Sequence, residues 1–214
     1  MNPNLTEIVF ILDRSGSMAG LEADTIGGYN QFLKAQAEKA GELRVTTVLF
    51  DHEYACLHQS VCPKNAVLTD QQYFVRGCTA LYDAVGRAVT DTGQRLAETP
   101  ESDRPTKVIV VITTDGYENA SKKYTHQQVQ DMIRHQQEKY SWEFLFFGAN
   151  IDVESVAETI GIQPVRAYGY EADSEGIHKM MACACDMVSD LRAGPSCQND
   201  TESDQSFSEK NRPN

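Results

Sequence analysis

Residues 107–116 read KVIVVITTDG, an apolar, β-branched run that stops at an acid and a glycine. It has no polar face, so it predicts a strand buried on both sides. Strands of that kind belong to mostly parallel sheets with helices over both faces. The pattern occurs once before: residues 7–17 read EIVFILDRSGS, an apolar strand from Glu7 to Leu12 followed at once by Asp13.

Outward from these two strands the chain alternates strand and helix. A helix over 21–40 carries Ile26, Tyr29, Leu33, Ala37 and Ala40 on one stripe and ends at Gly41. LRVTTVLF (43–50) is a strand, and DHEY turns it into an antiparallel partner, YACLHQSV (54–61). Residues 79–98 form a helix on Leu81, Ala84, Val85, Ala88 and Val89, and residues 125–140 form another on Val129, Met132, Ile133 and Tyr140. WEFLFFGA (142–149) is a further buried strand, VESVAETIG a short helix closed by Gly161, and VRAYGY an edge strand. Ile177, Met181, Ala184, Val188 and Leu191 mark a last helix over 171–192 whose stripe packs on the sheet. The expected fold class is α/β: a doubly wound, Rossmann-like, mostly parallel sheet of six strands with one antiparallel edge. Residues 1–192 are expected to form the domain and the polar residues 193–214 a disordered tail.

Composition narrows the partners. The 214 residues carry 31 acids against 19 Lys and Arg, a formal charge of −12, which argues against a nucleic-acid backbone as ligand. The opening MNPNLTE has no basic region ahead of a long apolar stretch, and no run approaches a membrane span. Six cysteines without an export signal read as free thiols. The expectation is a cytoplasmic monomer without a membrane or nucleic-acid partner.

Ligands of an open parallel sheet gather outside the carboxyl ends of its strands. Asp13 and Asp115 both end strands there. An extended chain sends Asp13, Ser15 and Ser17 to one side. Thr79, in GCTAL, opens a helix after a glycine and can face the same crevice. Two carboxylates and three hydroxyls form a hard, all-oxygen set, suited to Mg²⁺ or Mn²⁺. Two carboxylates neutralise a divalent ion without overcharging it, so the ion can still accept an anionic oxygen from outside.

DRSGS, the Thr of GCTAL and the Asp of TTDG, in this order and spacing, resemble the metal-ion-dependent adhesion site (MIDAS) of von Willebrand factor A-type (VWA) domains. The chain looks most like the short, intracellular, single-domain members. The resemblance implies that Asp13, Ser15, Ser17, Thr79 and Asp115 hold Mg²⁺ or Mn²⁺, some through water. It also implies a non-enzymatic protein-binding module whose partner completes the metal shell with an exposed Asp or Glu.

Other readings explain less. Helix capping by Ser17 uses one hydroxyl and leaves Asp115 and Thr79 without a role. Cys56, His58 and Cys62 lack the tight spacing of a zinc knuckle and read as one face of an edge strand. Cys78 reads as a small buried filler. No phosphate-binding loop, dinucleotide fingerprint or nucleophile elbow is present. The alternative function is a metal-dependent hydrolase or phosphoesterase using the same site. A third is a structural module whose metal only stiffens the loops.

Overall fold

A computed structural model describes residues 1–194. Six strands, β1 (Asn2–Asp13), β2 (Glu42–Phe50), β3 (Tyr54–Val61), β4 (Pro105–Thr114), β5 (Glu143–Gly148) and β6 (Ala167–Gly169), form one sheet in the order β3-β2-β1-β4-β5-β6. All neighbours are parallel except β2 and β3, which are antiparallel. The helices are α1 (Glu22–Ala37), α2 (Leu81–Glu98), α3 (His126–Tyr140), α4 (Val153–Thr159) and α5 (Ser174–Ala193).

The unbroken apolar runs follow from two cores. Ile8, Phe10 and Leu12 of β1, with Ile109 and Val111 of β4, enter the core under α1 and α5. Val9 and Ile11, with Val108, Val110 and Ile112, enter the core under α2, α3 and α4. Side chains alternate across a strand, so a strand with a helical layer on each side is apolar at most positions. A buried exception such as Glu7 of β1 is hydrogen-bonded, here by the Thr46 hydroxyl at 2.9 Å and by Arg95.

The stripe expected on α1 is displaced. Tyr29 and Leu33 are buried, but Ala37 and Ala40 are exposed, and the covered face runs through Gly28, Phe32 and Gln36. The cause is α5, which crosses α1 where Gly28 has no side chain; a Cβ there would lie 2.8 Å from Met181 Cγ. The Gln36 amide is fully buried yet satisfied, donating to the Cys185 carbonyl at 2.7 Å and to Ser189 Oγ at 2.9 Å. Apolar periodicity cannot register a buried glutamine. On α5, Ile177, Met181, Ala184 and Val188 are buried as the spacing predicts.

Smaller differences have local causes. β1 runs on through polar residues to Asn2, which pairs with Pro105. Tyr140, at the end of α3, is 55 % exposed. Cys78 is exposed rather than a buried filler. Register shifts in β3 break the alternation that a common face for Cys56, His58 and Cys62 requires. The expected tail lies, from residue 195 on, outside the described residues. Among the described residues no helix is long and apolar enough to cross a membrane.

Candidate functional site

β1 and β4 are neighbours at the middle of the sheet, so Asp13 and Asp115 leave it side by side at the same end. Asp13 is 1 % exposed and held at both oxygens: Oδ1 accepts from the Ser15 amide at 2.7 Å and Oδ2 from the Thr114 hydroxyl at 2.7 Å. Beneath it, the buried Tyr73 hydroxyl donates to the Asp13 carbonyl at 2.6 Å. The hydroxyls of Ser15 and Ser17 lie 3.2 Å apart, and Ser17 Oγ donates to Asp115 Oδ1 at 2.5 Å. Gly116 faces the same space; a Cβ there would lie 3.6 Å from Ser17 Oγ and 3.8 Å from Thr79 Oγ1. The structure thus brings Asp13, Ser15, Ser17, Thr79 and Asp115 together from three segments.

Arg14, between two of these residues in sequence, does not enter the site. Its guanidinium turns to the fully buried Asp51, with Nε donating to Oδ2 at 2.8 Å. Arg76 donates to the same oxygen at 2.9 Å, and both cations lie against the Phe74 ring. The positive charge nearest in sequence is therefore spent on Asp51 and leaves the two site carboxylates uncompensated. Burial pushes the Asp13 carboxyl up to about 6, and the Asp115 charge adds to this, against the hydrogen bonds from Thr114 and Ser15. Burial also raises Asp115, opposed by the Ser17 hydroxyl.

Among the described residues Asp115 Oδ2 has no hydrogen-bond partner, although it is buried. An acceptor in that position costs roughly 1–3 kcal/mol unless something electropositive meets it. Two crowded carboxylates, one with an orphaned oxygen, beside three hydroxyls fit a hard divalent cation. Among the described residues no three His, Cys, Asp or Glu side chains converge as a metal site. Here only two of the donors are of those types, and hydroxyls make up the rest. A cavity of about 880 Å³ opens beside the site at the ends of β5 and β6. It shares with the site the wall formed by Asn150 and Tyr170, which donate to the carbonyls of Asp115 at 3.4 Å and Thr114 at 3.2 Å.

Of three supporting residues, two escape a reading of the sequence. Thr114 is legible in part, as the residue before Asp115. Tyr73 and Tyr170 are not, because their bonds to Asp13 and Thr114 span 60 and 56 residues.

No family model matches the chain, and no curated protein matches it in sequence. Among solved structures the fold is similar to the PilB minor pilin from Streptococcus sanguinis, with TM-score 0.62 and 12% identity over 88% of this chain and 62% of that one. It is similar also to proximal thread matrix protein 1 (PTMP1) from the mussel byssus, with TM-score 0.60 and 12% identity over 87% of this chain and 47% of that one. A PTMP1 structure with a zinc occupied MIDAS motif has TM-score 0.60 and 14% identity, over 87% of this chain and 46% of that one. At these identities the likeness is one of fold alone. The chain spans less than two thirds of the length of each of these proteins.

Proposed function

We propose that the chain is a non-catalytic protein-binding module that takes Mg²⁺ or Mn²⁺ between Asp13, Ser15, Ser17, Thr79 and Asp115. Through that ion it engages an exposed Asp or Glu of a protein partner. The observation that carries this reading is the buried Asp115 carboxylate, with Oδ1 on the Ser17 hydroxyl and Oδ2 without a partner among the described residues, next to a second buried carboxylate. Asp13 and Asp115 supply the charge, and Ser15, Ser17 and Thr79 supply neutral oxygens. When bound, a divalent cation in this setting provides positive charge to which one more anionic oxygen can attach. Thr114 and the Ser15 amide fix Asp13 in place, while Tyr73 and Tyr170 hold the strand ends from below.

PTMP1, a protein of similar fold, has been seen with zinc in its MIDAS motif. The oxygen-only set here favours Mg²⁺ or Mn²⁺ over zinc. Calorimetric titration with each of the three metals tests this, with Mg²⁺ or Mn²⁺ binding expected for the native chain and loss of binding for Asp13→Ala. Pull-downs of native chain and Asp13→Ala, each in Mg²⁺ and in EDTA, test the partner mechanism. Capture that survives both EDTA and Asp13→Ala would refute it. Mg²⁺-dependent turnover of a generic phosphate ester would refute the non-catalytic assignment.

A further inference from the structure

Helix α2 begins two residues after Thr79 and has no capping side chain of its own, since Ala80 stands at its N-cap. The first amides of a helix lack intrahelical partners. Here they are met by the segment that follows Asp115. Tyr82 N–H donates to Glu118 Oε2 at 3.0 Å, and Asp83 N–H to Ser121 Oγ at 3.0 Å.

The contact is reciprocal. Asn119 makes a two-way pair with Thr79: Thr79 N–H donates to Asn119 Oδ1 at 2.9 Å, and Asn119 N–H donates to the Thr79 carbonyl at 3.0 Å. Asp83 in turn accepts the amides of Lys122, Lys123 and Tyr124 at 2.8–2.9 Å. Glu118 braces the segment from within, accepting from the Ala120 and Ser121 amides at 2.9 and 2.7 Å. The Tyr124 ring then lies on α2 where residue 86 is glycine; a Cβ there would meet Tyr124 Cδ1 at 2.5 Å.

We propose that residues 118–124 are a latch that joins the carriers of Thr79 and Asp115 into one rigid unit, with Asn119 the residue that positions Thr79. None of the latch residues belongs to the proposed metal set. Without the latch, the Thr79 segment would depend on its links to the β2 end, such as the Ala80 amide on the Asp51 carbonyl. With it, Thr79 and Asp115 keep one spacing whether or not anything is bound between them. A donor set held in place ahead of binding loses less conformational freedom when it binds.

The test compares the native 214-residue chain with Asn119→Ala, Asn119→Asp and Ile133→Val, a core truncation on α3 away from the site. Amide hydrogen exchange is followed residue by residue, and Mn²⁺ affinity by electron paramagnetic resonance. Asn119→Ala is expected to speed exchange at Thr79, Tyr82, Asp83 and residues 122–124 together, with β4 unchanged, and to weaken Mn²⁺ binding at least tenfold. Asn119→Asp keeps the Oδ1 acceptor and is expected to restore both. Ile133→Val is expected to lower global stability without touching Mn²⁺ affinity. Native exchange at Thr79 in Asn119→Ala would overturn the latch, as would failure of Asn119→Asp to rescue. Equal loss of Mn²⁺ affinity in Ile133→Val would reduce the effect to stability and overturn it too. The affinity readout rests on the metal reading, and the exchange readout does not. If the native chain binds no Mn²⁺, that reading falls and the exchange pattern alone decides the latch.

Discussion

The two acids of the site are not equivalent, although the sequence presents them alike. Asp13 accepts at both oxygens, whereas Asp115 accepts from Ser17 at one oxygen and leaves the other unpartnered. In EDTA, Asp13→Ala is therefore expected to cost about 1–3 kcal/mol of stability, because it orphans the Ser15 amide; the Thr114 hydroxyl keeps the Gly116 carbonyl at 3.1 Å as acceptor. Asp115→Ala should cost less than about 1 kcal/mol, since it also removes a crowded charge. Both should abolish Mg²⁺ binding, and urea unfolding with calorimetry checks the pair. The pH dependence follows from the same burial. Asp13 is raised to about 6 in the folded chain from an ordinary 3.8, so the folded state holds the extra proton between those values. Its favourable contribution is full below about pH 4 and is lost as the pH rises through about 6. Metal-free protein should thus gain roughly 2 kcal/mol from Asp13 on going from pH 7 to pH 4.5, beside a contribution of the same sign from Asp115, and Asp13→Asn should lose the Asp13 part of the gain. Asp83 does not confuse the window. Burial raises its carboxyl, but the amides of Lys122, Tyr124 and Lys123 outweigh that and hold it below the usual range. Its stabilisation is lost only at lower pH. Spacing in the sequence disclosed Asp13, Ser15 and Ser17, but not through the extended chain expected: β1 ends at Asp13, and a 3₁₀ turn over Gly16–Met18 brings the Ser17 hydroxyl back beside that of Ser15. Spacing could not disclose Thr114 as the partner of Asp13 across 101 residues, nor the difference between the acids that this bond creates.

At the scale of elements, α2 is held by what lies against it as much as by its own sequence. Gly86→Ala should destabilise the protein by roughly 1–2 kcal/mol: the helix gains about 1 kcal/mol from losing a glycine, but the methyl collides with the Tyr124 ring. A chemical denaturation midpoint below that of the native chain checks it. Helix α5 is integral in the same way. Ile177, Met181 and Val188 are buried, each contributing about 1.5–3 kcal/mol, so a chain cut at residue 170 should not unfold cooperatively. A soluble, monomeric fragment with a sharp transition would contradict this. The strands were legible because two helical layers leave them few polar positions, such as Glu7 of β1 and Thr46 and Thr47 of β2. The α1 face was less so, since its contact with α5 uses a glycine and a glutamine, residues that carry no apolar signal. The capping of α2 was invisible, because its donors and acceptors come from a segment some 40 residues away.

At the scale of the molecule, binding at one site should be felt throughout. Mg²⁺ at a hundred times its dissociation constant adds about 2.7 kcal/mol to a fold that binds it only when native. For a domain of this size that raises the unfolding midpoint by roughly 5–10 °C, and the rise should vanish in Asp115→Ala. The strand and helix alternation gave the layers and the antiparallel edge directly, since a parallel sheet can be built only with crossovers. The order of the strands, with β1 at the middle beside β4, places both acids together. One more consequence follows from that arrangement. Asn2 hydrogen-bonds to the Arg104 carbonyl at the start of β4, while Lys107, a few residues on, donates to the Leu191 and Arg192 carbonyls at the end of α5. Residues 2 and 194 therefore sit at one pole and the carboxylates at the other, with the length of a strand between them. A biotin or a fusion protein attached to the first residue hangs from the far pole. On a sensor surface, the molecule grafted by its first residue should keep the Mg²⁺-dependent response it shows free in solution.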